Sequence, residues 1–141
     1  MTTLVVSAVA FVRDGAVLTV RKRGTGRFML VGGKLEPGED LAAAAVREAL
    51  EEVGVMVDVL EPLGEFVADA ANEPDHLVHS SVFAASVPPG VEPAPLAEIE
   101  ELRWLPLSPA ADGPPDDLAP LLEHHVLPVL RARHFGGSVR A

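Results

Sequence analysis

The sequence predicts a single α/β domain. Strand-like runs rich in β-branched residues lie on both sides of one sharply bounded helix, a second helical stretch follows near the end, and no linker or internal repeat divides the 141 residues. Residues 4–12 read as a first strand, Asp14-Gly15 as a hairpin turn, and residues 16–21 as the returning strand. Residues 28–31 read as a short strand entering Gly32-Gly33, glycines that let the backbone turn and come close to a ligand. Pro37-Gly38 marks the next turn, Asp40 is placed to cap a helix, and Gly54 is placed to stop it. Residues 55–60, 63–68 and 76–87 read as strands, the proline-rich residues 88–95 as a surface loop, and residues 99–105 as another strand. Residues 116–134 read as the second helix, with Pro120 near its first turn and Pro128 as a kink. The domain then covers residues 1–135, and residues 136–141 are expected to fray as a disordered tail.

Composition narrows the function classes. Cysteine is absent, which excludes disulfides, thiolate metal sites and a cysteine nucleophile. No apolar run approaches the ~20 residues of a membrane span, and the first eleven residues lack the basic start of a secretory leader, so a cytoplasmic protein is expected. The abundance of Ala, Val, Pro and Arg points to a GC-rich bacterial source. The net charge of −10 is uneven: residues 1–32 sum to +4, residues 33–55 to −4, residues 56–123 to −13 and the remainder to +3. So acidic a body argues against binding a nucleic acid polymer, which needs an extended basic face. The basic cluster Arg21, Lys22, Arg23 and Arg27 stands just before the acidic helix, a sensible arrangement for holding a di- or triphosphate. The bland alternative for each of the four is a solvated hairpin end.

The helix carries the chemistry. Glu48, Glu51 and Glu52 fall at i, i+3 and i+4 and project from one face, while Ala42, Val46, Ala49, Leu50 and Val53 fall opposite. Three stacked carboxylates repel, each close pair costing roughly 0.2–0.5 kcal/mol on an isolated helix. A divalent cation reverses that interaction and, after a glycine-rich turn, can bridge to substrate phosphates.

The segment resembles the Nudix box: Gly33, five residues, Glu39, seven residues, Arg47-Glu48, Ala49-Leu50, Glu51-Glu52, Val53, Gly54 and Val55. Only Ala49 is lighter than the bulky apolar residue of that pattern. The resemblance covers the box firmly and the rest of the chain in element order. It implies an α/β/α sandwich with a mixed sheet between helices. It implies that Glu48, Glu51 and Glu52, with Gly33, hold Mg²⁺ or Mn²⁺, that Glu39 and Arg47 orient the site, and that Gly32, Gly33 and Lys34 face the phosphates. The implied reaction is attack of water on a pyrophosphate bridge of a nucleotide. The group that takes the water's proton is a box glutamate or a later one, and Glu98 is our choice among Glu98, Glu100 and Glu101.

Arg21 and Arg23 are expected on the substrate phosphates, and Phe28 stands where many relatives carry an aromatic near the substrate, with a place in the core as its alternative. Trp104 reads as core, and His124, His125 and His134 read as helix surface. Val31 stands where the family often has proline. By size the chain resembles MutT-like enzymes that cleave nucleoside triphosphates, including oxidised ones such as 8-oxo-dGTP, to a monophosphate and pyrophosphate. The alternatives are an ADP-ribose or sugar-nucleotide pyrophosphatase and a silent nucleotide-sensing module. Sensing modules usually carry a DNA-binding domain, for which this chain has no expected spare length. Monomer and homodimer are both open.

Overall fold

Strand β1 (Thr2–Arg13) organises the sheet in the computed structural model, which describes the backbone of residues 1–139 and the side chains of residues 1–134. One edge of β1 pairs in parallel with β5 (His76–Ala85), from Thr2 opposite His76 to Phe11 opposite Ala85. The other edge is shared. Its middle, Val6 to Val9, pairs antiparallel with β3 (Val31–Lys34), and its end, Val12 and Arg13, pairs with β2 (Ala16–Lys22). Strand β4 (Glu61–Asp69) extends the sheet beyond β5, and β6 (Ile99–Pro106) extends it beyond β2. The result is a six-stranded mixed sheet in the order β4-β5-β1-β2-β6, with β3 on β1.

Alternation along β1 divides the core in two. Val9 and Phe11 pack with Ala45, Ala49 and Val53 of helix α1 (Leu41–Val53) on one face. Ala8 and Ala10 pack with Leu122, Val126, Leu127 and Leu130 on the other. Those residues belong to a π-turn (Leu122–Val126) that runs directly into helix α2 (Leu127–Val139). The architecture is the α/β/α sandwich with a mixed sheet that the sequence led us to expect. No helix among the described residues is long and apolar enough to cross a membrane.

Local departures have tertiary causes. The third strand begins at Val31, not residue 28, because β1 offers its edge to Gly32 and Gly33, while Phe28 and Met29 form only single bridges with Leu118 and Val20. Residues 55–60 are not a strand: Val55 and Val57 are buried and Met56 is exposed, but the alternation comes from one-sided packing against α1 without a ladder partner. The last helix starts at Pro120 rather than residue 116, because Asp117 turns to Arg103 and Leu118 to Phe28. Pro128 is met by the π-turn, in which the Leu127 N–H reaches the Leu122 carbonyl; the wider turn just before the proline accommodates the ring that would crowd an α-helical carbonyl. Within the tail expected to fray, Gly136 to Val139 have helical backbone, and Arg140 and Ala141 lie outside the described residues.

Candidate active site

Helix α1 is fixed at both ends by its own sequence. The Asp40 side chain accepts from the Ala43 N–H at 2.7 Å. Gly54 takes φ 72°, a left-handed cap that returns its N–H to the last turn. The buried stripe is not the one the helical period suggested. Ala44, Ala45, Ala49, Glu52 and Val53 are buried, whereas Leu50 is exposed. The correction has a simple cause: the sheet meets α1 along Ala45, Ala49 and Val53, at i, i+4 and i+8, which draws Glu52 at i+7 inward and turns Leu50 outward.

Gly32 and Gly33 let strand β3 lie under this helix. A Cβ on Gly32 would sit 2.2 Å from the Ser7 carbonyl oxygen and 2.7 Å from the Ala8 Cα. A Cβ on Gly33 would sit 2.7 Å from the Glu48 carboxyl carbon. The backbone contacts at Gly32 forbid a side chain, and at Gly33 a side chain would displace the Glu48 carboxylate, which rests directly on the β3 backbone. Glu52 lies deeper, 2% exposed, with one oxygen accepting the Gly32 N–H at 3.0 Å and the other, Oε2, without a partner. Burial pushes the Glu52 carboxyl up to about 8, opposed by the Gly32 N–H, raised further by Glu48, lowered by Lys22 and raised by Glu98.

Arg47 ties these pieces together. Its Nε and Nη2 donate to the two Glu39 oxygens at 2.7 and 2.9 Å, its Nη2 also to the Lys34 carbonyl at 3.0 Å, and its Nη1 to Glu48 at 2.7 Å. Glu36 stands 2.8 Å from Nε, and Glu51 3.3 Å from Nη1. These Arg47 hydrogen bonds, with the Glu36 N–H, hold Glu39 down to about 2, and Glu39 in turn raises Arg47 further.

A cleft of about 540 Å³ opens beside this corner. Its polar and glycine lining includes Gly32, Gly33, Lys34, Glu48, Lys22 and Glu98. Lys22 Nζ stands 3.3 Å from Glu98 Oε1. Its apolar lining includes Leu4, Val6, Met29, Val78 and Leu121, and Asp69 and Asn72 also line it.

The predicted residues therefore separate. Glu48, Glu52, Glu98, Gly32, Gly33, Lys34, Glu39 and Arg47 converge on one corner. Glu51 is more than half exposed on the outer side of Arg47, and the three box acids form no closed cage: among the described residues, no three acidic or imidazole side chains are gathered as metal ligands. Arg21 and Arg23 are turned to strand β6 and its approach, Arg21 to Glu101 at 3.2 Å and Arg23 to Glu100 at 3.4 Å. Phe28 is buried in the core, 3.8 Å beneath the Arg103 guanidinium. Of the basic cluster, Lys22 lines the cleft, next to a register shift in the β2–β6 ladder where Arg21 faces Glu101 and Lys22 faces Ile99. Its membership of the basic cluster was visible in the sequence, but the bulge was not.

Glu48 and Glu52 nevertheless suit a hard divalent cation. The Glu52 Oε2 is a buried oxygen with no partner, near a second carboxylate that rests on the Gly33 backbone, and carboxylate and carbonyl oxygens are the donors such an ion takes.

The NUDIX domain family matches residues 1–126. The oxidized purine nucleoside triphosphate hydrolase of Mus musculus is 36% identical over 107 residues, 72% of this chain and 65% of its own length. The protein of the same name from Danio rerio is 35% identical over 105 residues, 72% and 64% of the two lengths. The chain thus spans slightly less than two thirds of these relatives. Among solved structures, a MutT NUDIX hydrolase from Burkholderia pseudomallei superposes with a TM-score of 0.75 at 25% identity, over 92% of this chain and 99% of that one. The E. coli ORF135 protein superposes with a TM-score of 0.63 at 26% identity, over 99% and 94%.

Proposed function

Because the chain belongs to the NUDIX domain family, we propose that it is a metal-dependent pyrophosphohydrolase that cleaves a nucleoside triphosphate to the monophosphate and pyrophosphate. The observation that carries this reading is the buried, unpartnered Glu52 oxygen behind the Glu48 carboxylate, which itself lines a nucleotide-sized cleft. The names of the mouse and zebrafish relatives favour oxidised purine triphosphates such as 8-oxo-dGTP within that class.

Glu48 and Glu52, with Glu51 and the Gly33 backbone nearby, are the residues that would hold Mg²⁺ or Mn²⁺, and such an ion supplies charge neutralisation and an acidified water. The chain's own residues do the rest. Arg47 and Glu39 clamp the loop from Lys34 to Glu39 onto α1, so that β3 presents its glycine backbone to the phosphates. Lys22 lines the same cleft and is the phosphate cation of this reading. Glu98, paired with Lys22 and lining the same cleft, takes the proton of the attacking water.

The test is a panel of standard and oxidised nucleoside triphosphates, ADP-ribose and sugar nucleotides with Mg²⁺, scored for pyrophosphate, phosphate and monophosphate. Release of monophosphate and pyrophosphate from a triphosphate is expected. Cleavage of ADP-ribose alone would replace the substrate class, and binding without turnover of any of them would make the protein a sensing module.

A further inference from the structure

The phosphate chemistry leaves Ser80 unexplained. Its side chain is fully buried, its Oγ has no hydrogen-bond partner, and the residue lines the cleft. The register places it between Val6 of β1 and Phe66 of β4. The neighbouring row is Leu4, Val78 and Ala68. A hydroxyl in these surroundings loses its water and recovers no hydrogen bond, whereas alanine would fill the place without that loss. Ser7 shows the usual solution on the opposite face of the sheet, where its buried hydroxyl donates to the Leu41 carbonyl at 2.7 Å.

The lining of the cleft is of two chemical kinds, and the lining residues that the register sets around Ser80, Val6 across the ladder and Leu4 and Val78 in the next row, are aliphatic. No charged phosphate suits aliphatic walls. A flat, uncharged ring with a polar edge does, and a nucleotide carries one. The walls contain no aromatic side chain among the described residues, so ring stacking contributes no base preference, and polar contacts must supply it.

We propose that Ser80 is a specificity-determining residue whose hydroxyl hydrogen-bonds the edge of the nucleobase. The proposal rests on reading the cleft as the nucleotide site. The test compares wild type with Ser80→Ala across ATP, GTP, CTP, UTP, dGTP and 8-oxo-dGTP, by kcat/KM and, independently, by calorimetric titration with the corresponding monophosphates. For the favoured base, Ser80→Ala is expected to lose about tenfold or more in kcat/KM and in affinity, while the disfavoured bases change little. Its Tm is expected to equal or exceed that of wild type, since an unpartnered buried hydroxyl has been removed. A folded Ser80→Ala protein that keeps the wild-type ranking of bases overturns the proposal. So does an equal loss for every nucleotide accompanied by a lower Tm, because the hydroxyl then supports the fold. If wild type binds monophosphates selectively and hydrolyses nothing, the hydrolase reading fails while the Ser80 comparison still stands or falls on the titrations.

Discussion

Two arginines in this molecule gather acids for opposite ends. Arg47 is surrounded by Glu36, Glu39, Glu48 and Glu51 at the edge of the cleft. Arg103 makes a two-pronged pair with Asp117, at 2.8 and 3.0 Å, and lies flat on the Phe28 ring. Around Arg47 the acids outnumber the cation, so the cluster holds negative charge in place beside a buried carboxylate. Around Arg103 charge is matched one to one, and the pair only fastens the segment before the last helix to β6. Excess negative charge is what a cation site requires, and neutrality is what a structural tie requires.

The sharpest way to break that contrast is Glu52→Gln, which removes a proposed metal ligand and keeps its volume. Steady-state turnover should fall at least about a hundredfold while circular dichroism and Tm stay near wild type. Near-normal turnover would remove Glu52 from the site. Arg47→Ala comes next: it frees Glu39, Glu48 and the Lys34 carbonyl together, and kcat should fall about ten- to a hundredfold with a measurable drop in Tm. A loss confined to stability would make Arg47 no different in kind from Arg103.

Lys22→Met should raise KM for a triphosphate about tenfold with a smaller effect on kcat, because a phosphate contact is lost from the ground state as well as the transition state. Arg21→Met, whose partner is Glu101, should leave KM within about twofold. Equal effects of the two would mean that Lys22 is not the phosphate cation of the cleft.

The smallest expected effect tests the structural tie. Arg103 holds Asp117 below its ordinary carboxylate range, chiefly by hydrogen bonding. A depressed carboxyl stabilises the fold at pH above its ordinary value, and that stability is lost as pH falls through the depressed one. Asp117→Asn should therefore cost about 0.5–1 kcal/mol in denaturant titrations at pH 7, the scale of a partly exposed pair, with less difference in strong acid and unchanged kcat. A Tm difference that grows towards low pH would contradict it.

Much of the site could be read from the chain because its spacing is local. Helix α1 begins at Asp40 and ends at Gly54 as its caps dictate, and Glu39, Arg47 and Glu48 meet through the loop and the first turns of that helix. The places where the reading slipped share one feature: a contact from a distant strand decided them. Phe28 had equal reason, by sequence, to face a ligand or the core, and Arg103, 75 positions on, covered its ring. Residues 55–60 carry a strand's alternation without a strand to pair with. The three successive cations Arg21, Lys22 and Arg23 are chemically alike, and the acids of β6 and its approach sorted them.

The chain by itself determined the acidic helix, its caps and the glycines beneath it, since hydrogen bonds within a few residues fix helix ends and the lack of a Cβ needs no partner to be felt. Only the tertiary structure decided that Glu52 is buried rather than exposed, that Lys22 and not Arg21 or Arg23 lines the cleft, and that the hydroxyl of Ser80 is buried without a partner. Those outcomes depend on the pairing of β1 with β3 and β5 and of β2 with β6, where Glu100 is the extra residue of a bulge. Inter-strand register joins residues far apart in the chain, and no short-range pattern encodes it.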